Sequence, residues 1–124
     1  MPELPEVETI ARGLHTLVHG KRIASHRVLT KSVLRAGDPS RLDGRAILRV
    51  HRRAKLLLLD LEGGSLLAFH LKMTGRVWLA GPDRNLPRHA HLVLELAEGD
   101  RIVFEDQRRF GFWGIFEPED LDGW

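Results

Sequence analysis

Leu56-Leu57-Leu58-Leu59-Asp60-Leu61-Glu62-Gly63-Gly64-Ser65-Leu66-Leu67-Ala68-Phe69-His70-Leu71 decides the fold. Two apolar runs of strand length flank a Glu-Gly-Gly turn, and paired glycines supply the positive-φ backbone that closes a tight hairpin. The four consecutive leucines put apolar side chains on both faces, which suits a strand buried between two layers; pattern alone leaves a short buried helix open. Reading outward, further strand-type runs stand at Arg22–Leu29, Ala46–Val50, Arg76–Leu79, Leu92–Leu96, Ile102–Glu105 and Phe112–Phe116, with a second tight turn at Glu98-Gly99-Asp100. No helical pattern separates these runs, so antiparallel pairing is expected.

Helical spacing is confined to the N-terminal segment. Pro5 suits a first helical turn, Glu6 and Glu8 complement the positive end of the dipole, and Val7, Ile10, Leu14, Leu17 and Val18 recur at helical intervals until Gly20. The spacing predicts a helix over about residues 5–19. Asp38-Pro39-Ser40-Arg41-Leu42 reads as a capped single turn or loop, and residues 81–88, with two prolines, as an exposed loop. The architecture expected is mainly β: an antiparallel two-layer β-sandwich with an N-terminal α-helix. Residues 1–116 read as one domain, and the acidic stretch 117–124 as a truncated linker.

A chain of 124 residues, 43% hydrophobic and 29% charged, is of single-domain size. With no cysteine it has no disulfide, no thiol nucleophile and no thiolate-bound zinc within these residues, and no metal ligand set is expected in them. There is no membrane-length apolar run, and the acidic, proline-bearing start differs from a signal peptide, so a cytoplasmic protein is expected. The net charge of +2 is unevenly spread: residues 21–55 hold eleven Arg and Lys against Asp38 and Asp43. Such a block is either an electrostatic footprint for phosphates or the solvated face of a sheet.

The start of the chain carries chemistry. Removal of Met1 exposes Pro2 as a secondary amine, and an α-amine titrates at about 7.7–8.0 against about 10.4 for lysine, so much more of it is free at neutral pH. Attack on an electrophilic sugar carbon gives an iminium, the covalent strategy of Schiff-base enzymes. Glu3 stands beside it and Glu6 one helical turn on, placed for proton transfer at a sugar oxygen. Glu8 is explained by the dipole alone. Lys55 stands at the mouth of a buried strand, where a lysine either reaches solvent or meets an anion.

Met1-Pro2-Glu3-Leu4-Pro5-Glu6-Val7-Glu8-Thr9 resembles the opening of the bacterial formamidopyrimidine-DNA glycosylases, and further likenesses follow in that family's order. They are Arg52-Arg53-Ala54-Lys55, His70-Leu71-Lys72-Met73-Thr74-Gly75, Arg88-His89-Ala90-His91 and Asp106-Gln107-Arg108-Arg109-Phe110-Gly111. The opening motif is highly specific at a terminus, Arg-Arg-Phe-Gly is moderately so, and the others are weak alone.

The resemblance implies a base-excision glycosylase with abasic-site lyase activity on damaged double-stranded DNA, removing oxidised purines as a monomer. It implies Pro2 as Schiff-base nucleophile, Glu3 as proton donor, Glu6 in support, and Lys55 as the cation at the scissile site. An enzyme acting on a base leaves a hole in the duplex. The resemblance gives Met73 the filling of that void, Arg108 the orphaned partner base, Phe110 the wedge, and His89 and Arg109 a share in DNA binding; His91 is equally a strand-face histidine. Two positions depart from the family, which commonly has Gly at Lys72 and often Pro at Gln107. The family also continues into a helix-two-turn-helix domain and a C-terminal finger with one structural zinc, so no cofactor is expected here. Two other readings stand beside this one: an endonuclease VIII-type glycosylase for oxidised pyrimidines, and an isolated, weak DNA-binding domain without turnover.

Overall fold

The computed structural model describes residues 4–123, with side chains from residue 5 to residue 120. In chain order the elements are helix α1 (Leu4–Val18) and strands β1 (Ile23–Val28), β2 (Leu34–Ala36), β3 (Ile47–Arg53), β4 (Leu56–Leu61), β5 (Leu66–His70), β6 (Arg76–Ala80), β7 (Ala90–Leu96), β8 (Arg101–Glu105) and β9 (Phe112–Phe116). They form a four-stranded sheet, order β1-β7-β8-β6, and a five-stranded sheet, order β2-β9-β5-β4-β3.

The expected sandwich with its flanking helix is the observed architecture. The leucine run is strand β4: Leu57 and Leu59 join Leu67, Phe69, Trp113 and Ile115 in a core completed by Leu92, Leu94, Ile102 and Phe104 from the other sheet. The Phe69 and Phe104 rings meet at 5.3 Å and 58°, the tilted geometry that aromatic quadrupoles favour. Leu58 faces the other way and is buried with Ala68 and Phe116 on the outer side of the five-stranded sheet. Both expected hairpins form; Gly63, Gly64 and Gly99 take φ of 92°, 100° and 109°, which a side chain would resist.

The buried stripe of the helix is narrower than the expected one, with Ala11 in it, Ile10 only partly buried and Leu17 outside it. Val7, Ala11, Leu14 and Val18 are buried, whereas Leu17 is 51% exposed, because α1 rests on β3 along a narrower seam than the apolar pattern offers. Polar bonds fix its register on that strand. Val50 N–H donates to His15 Nδ1 at 3.1 Å, and Gly20 N–H donates to the Ile47 carbonyl at 2.6 Å.

One strand was not foreseen from the sequence. β2 runs parallel to β9, pairing Leu34 with Trp113 and Ala36 with Gly114, so the five-stranded sheet is mixed rather than wholly antiparallel. Gly37 lets the chain leave this edge: a Cβ there would lie 2.6 Å from the Ile115 carbonyl oxygen. The turn at Pro39–Leu42 is capped as expected, with Ser40 N–H donating to Asp38 Oδ1 at 3.0 Å. Beyond β9, Glu117 accepts from Arg41 and from Ser65, so the start of the acidic stretch is tied to the sandwich, and Pro118–Gly123 forms a 3-10 turn. No helix among the described residues is long and apolar enough to cross a membrane.

Candidate nucleic-acid interface

Strand register gathers the scattered motifs at one end of the sandwich. Arg53, Leu56, His70 and Phe112 are successive cross-strand partners in the five-stranded sheet, and Ala90, Glu105 and Arg76 are successive partners in the other. Residues 71–75 lead from His70 to Arg76 and residues 106–111 from Glu105 to Phe112, so the two rows share an end. That end therefore carries Lys55, Lys72, Met73, His89, Arg108, Arg109 and Phe110. The helix begins there too, since Arg52 Nε donates to Glu8 Oε1 at 3.2 Å. Glu6 is exposed in its first turn. Pro2 and Glu3 lie outside the described residues.

Asp106, which the sequence shows only as the first residue of a motif, organises the loops. Its side chain is 1% exposed and accepts from Gly111 N–H at 2.7 Å, from Arg108 N–H at 3.2 Å and from the Thr74 hydroxyl. Its own N–H donates to the His89 carbonyl at 3.1 Å, while its carbonyl accepts from His91 Nε2 at 2.7 Å. One residue thus holds three loops together. His91, 2% exposed with Nδ1 2.8 Å from Thr30 Oγ1, is a buried structural histidine, which settles its two sequence readings. The signal available in sequence was an acid five residues ahead of a glycine in a loop; Gly111 leaves room for it, since a Cβ there would lie 3.0 Å from Asp106 Oδ2.

These loops hold their tips in a costly conformation. Ala54, Lys72 and Arg109 have φ of 52°, 52° and 58°, and they are the non-glycine residues with positive φ among those described. Each costs about 1–2 kcal/mol relative to the right-handed region, and such strain clusters where a scaffold aims side chains. Lys72 therefore occupies a backbone position natural to glycine. Met73 and Phe110 are each 54% exposed, so neither serves the core. Arg108 and Arg109 are exposed; His89 and Lys55 are half-buried. Burial first, then the charges of Lys72 and Lys55, holds the His70 imidazole below its ordinary value.

The basic block from residue 21 to 55 is largely neutralised by carboxylates distant in sequence. Lys21 pairs with Glu98, Arg22 with Glu62, Arg27 with Glu95, Arg41 with Glu117, Arg49 with Asp60 and Arg52 with Glu8. Glu8 is more than a dipole partner: Arg12 and then Arg52 hold its carboxyl below the usual range. The solvated-face reading thus holds for most of the block. Among the described residues, Lys31, Arg35, Arg45, Lys72, Arg84, Arg88, Arg101, Arg108 and Arg109 make no ion pair, and Lys72, Arg108 and Arg109 sit in the loops at the interface end.

No three His, Asp or Glu side chains converge on a possible metal position among the described residues, and the chain has no cysteine. The zinc implied by the resemblance finds no ligand set in these residues.

A sandwich that presents strained, cation-bearing loops with an exposed methionine and an exposed phenylalanine from a single end defines a class: a β-sandwich domain with a basic, partly apolar loop face. Comparison narrows the class. The chain belongs to the formamidopyrimidine-DNA glycosylase family, whose N-terminal domain model matches residues 1–113. A formamidopyrimidine-DNA glycosylase of Methylocella silvestris is 47% identical over 135 residues, covering 98% of this chain and 46% of the relative. That of Dinoroseobacter shibae is 39% identical, covering 98% and 47%. Among solved structures, the Lactococcus lactis enzyme in complex with abasic-site DNA superposes with a TM-score of 0.90 at 30% identity, covering 98% of this chain and 46% of that one. The same enzyme has been solved with DNA containing FAPY-dG, again at a TM-score of 0.90. The chain spans about half the length of the curated relatives it matches.

Proposed function

We propose that the protein carrying this chain is a base-excision repair glycosylase with abasic-site lyase activity, acting on oxidised purines in duplex DNA. The observation that carries this reading is the convergence of Lys55, Met73, His89, Arg108, Arg109 and Phe110 at the end of the sandwich where α1 begins, directly after Pro2 and Glu3 in the chain. In this reading the Pro2 amine attacks C1′, the C1′–N bond to the base breaks, and Glu3, supported by Glu6, protonates the sugar oxygen as the ring opens to an iminium. Loss of a C2′ proton then expels the 3′-phosphate, whose charge Lys55 meets. Met73 fills the vacated space, Arg108 bonds the orphaned base and Phe110 wedges into the stack, offsetting unstacking of a few kcal/mol. In this reading the enzyme is monomeric and cytoplasmic, and a structural zinc belongs to a segment beyond these residues.

Borohydride reduces a protein–DNA iminium to a stable amine and so tests the chemistry. The native full-length protein is expected to crosslink to duplex containing 8-oxoguanine, and Pro2→Gly combined with Glu3→Gln to abolish the crosslink. An undiminished crosslink in the double variant would overturn the assignment.

A further inference from the structure

Of the Arg52-Arg53-Ala54-Lys55 motif, the proposed chemistry uses only the last residue. The turn that joins β3 to β4 is as short as a hairpin allows, since Arg53 pairs with Leu56 and leaves only Ala54 and Lys55 between the strands. Ala54 holds φ at 52°, a conformation that a β-carbon resists, so the turn gains from any bond that fixes it from outside.

Arg52 supplies that bond. Its Nη1 donates to the Ala54 carbonyl at 3.2 Å, while its Nε donates to Glu8 Oε1 at 3.2 Å. The two acceptors belong to different elements, the hairpin tip and the start of α1, and one planar guanidinium spans both. The Ala54 carbonyl and the Lys55 N–H are two ends of a single rigid peptide plane, so a donor on that oxygen also fixes the direction in which the chain enters Lys55. On the helix side, Arg12 Nε donates to Glu8 Oε2 at 3.0 Å, and the carboxylate is held from two directions. Helix α1 begins at Leu4, directly after Pro2 and Glu3, with Glu8 one turn in.

These bonds supply geometry more than stability. The Arg52 and Glu8 side chains are 29% and 36% exposed, and ion pairs open to water contribute little to folding. We propose that Arg52 is a positioning residue: it braces the Ala54–Lys55 peptide against Glu8 and so aims Lys55 at the phosphate that leaves in the elimination step. Its own charge is committed to Glu8 and meets no phosphate. The proposal rests on the glycosylase and lyase reading given above.

The test follows the native full-length protein on duplex carrying an abasic site, in single turnover at saturating DNA, and scores borohydride-trapped iminium and strand scission separately. Arg52→Gln is expected to slow scission by about 10–100-fold, the scale of a misplacement of about 1 Å, and to slow trapping less, so that crosslinked but uncut strand accumulates. Arg52→Lys, which makes one of the two bonds at a time, falls between Arg52→Gln and the parent. Glu8→Ala combined with Arg52→Gln is no slower than Arg52→Gln, because both changes sever one brace. Affinity between about 50 and 200 mM salt keeps the parent slope, and Arg49→Gln, which removes a paired cation of the same strand, keeps the parent rates. Parent scission in Arg52→Gln, equal slowing of the two steps, a flattened salt slope or equal slowing by Arg49→Gln overturns the proposal. If Arg52→Gln melts early, Arg52→Lys carries the test: slowed scission at the parent Tm supports the brace, and parent scission overturns it. Absence of trapping by the parent sinks the glycosylase reading instead.

Discussion

Thr74 donates its hydroxyl to the buried carboxylate of Asp106, and this bond fastens the Met73 loop to the loop that bears Arg108 and Phe110. Asp106→Ala strands the Gly111 and Arg108 N–H groups as well as the Thr74 hydroxyl, and is expected to cost about 3 kcal/mol. Thr74→Val alone should cost about 1 kcal/mol, and nothing further once Asp106 is gone. Urea denaturation of the two single variants and the double variant measures this coupling; additive losses would show that the loops are held independently.

Two glycines give opposite responses to the same change. Gly111→Ala drives a Cβ to 2.9 Å from the His70 carbonyl oxygen and 3.0 Å from Asp106 Oδ2, so a loss of about 1–3 kcal/mol is expected. Gly13 lies inside α1 with nothing within 4 Å of an added Cβ, so Gly13→Ala should stabilise by about 0.5–1 kcal/mol. Thermal melting of the pair reads both signs.

Acid should loosen the interface end through His70. Burial, then Lys72, then Lys55, depresses its folded-state value below the ordinary 6.5, so below that pH the unfolded chain binds a proton that the folded chain refuses. Stability from this group is full above pH 6.5, falls as pH drops, and levels off below the folded-state midpoint. An NMR titration of the His70 ring is expected to give a midpoint under 6.5, and Lys72→Met to move it upward; an unmoved midpoint would remove Lys72 as a cause.

Exposure separates residues that hold the fold from residues that face a ligand. Leu59→Ala empties a site with 0% exposure and should cost about 2–5 kcal/mol, whereas Met73→Ala, at a tip 54% exposed, should change stability by less than about 0.5 kcal/mol. The same Met73→Ala change is expected to slow trapping on lesion duplex. Chemical denaturation together with the borohydride assay distinguishes the two outcomes.

The parts legible in the sequence are those whose signals are local. A 3.6-residue period ending at Gly20 marks α1, and Gly63-Gly64 between two apolar runs marks the β4–β5 hairpin. Leu34-Arg35-Ala36 offers no such signal: three residues cannot display an alternation, and their partners Trp113 and Gly114 lie far along the chain. The basic block looked more potent than it is because Glu8, Asp60, Glu62, Glu95, Glu98 and Glu117 arrive from outside it. Asp106 was hidden for a related reason: an acid reads as surface until its buried donors, Gly111 N–H and Thr74, are brought to it.

Helix α1 and the turn that follows it are anchored to β3 at successive levels, with Glu8 on Arg52, His15 on Val50 and, just past the helix, Gly20 on Ile47. It therefore works as a ruler. The number of residues between these anchors fixes how far along the strand, and at what angle, the helix starts. Each residue inserted between Glu8 and His15 would push that start by about 1.5 Å and turn it by about 100°. The exposed face of α1 is accordingly free to vary in composition, while its length sets where the chain enters the end of the sandwich that carries the loops.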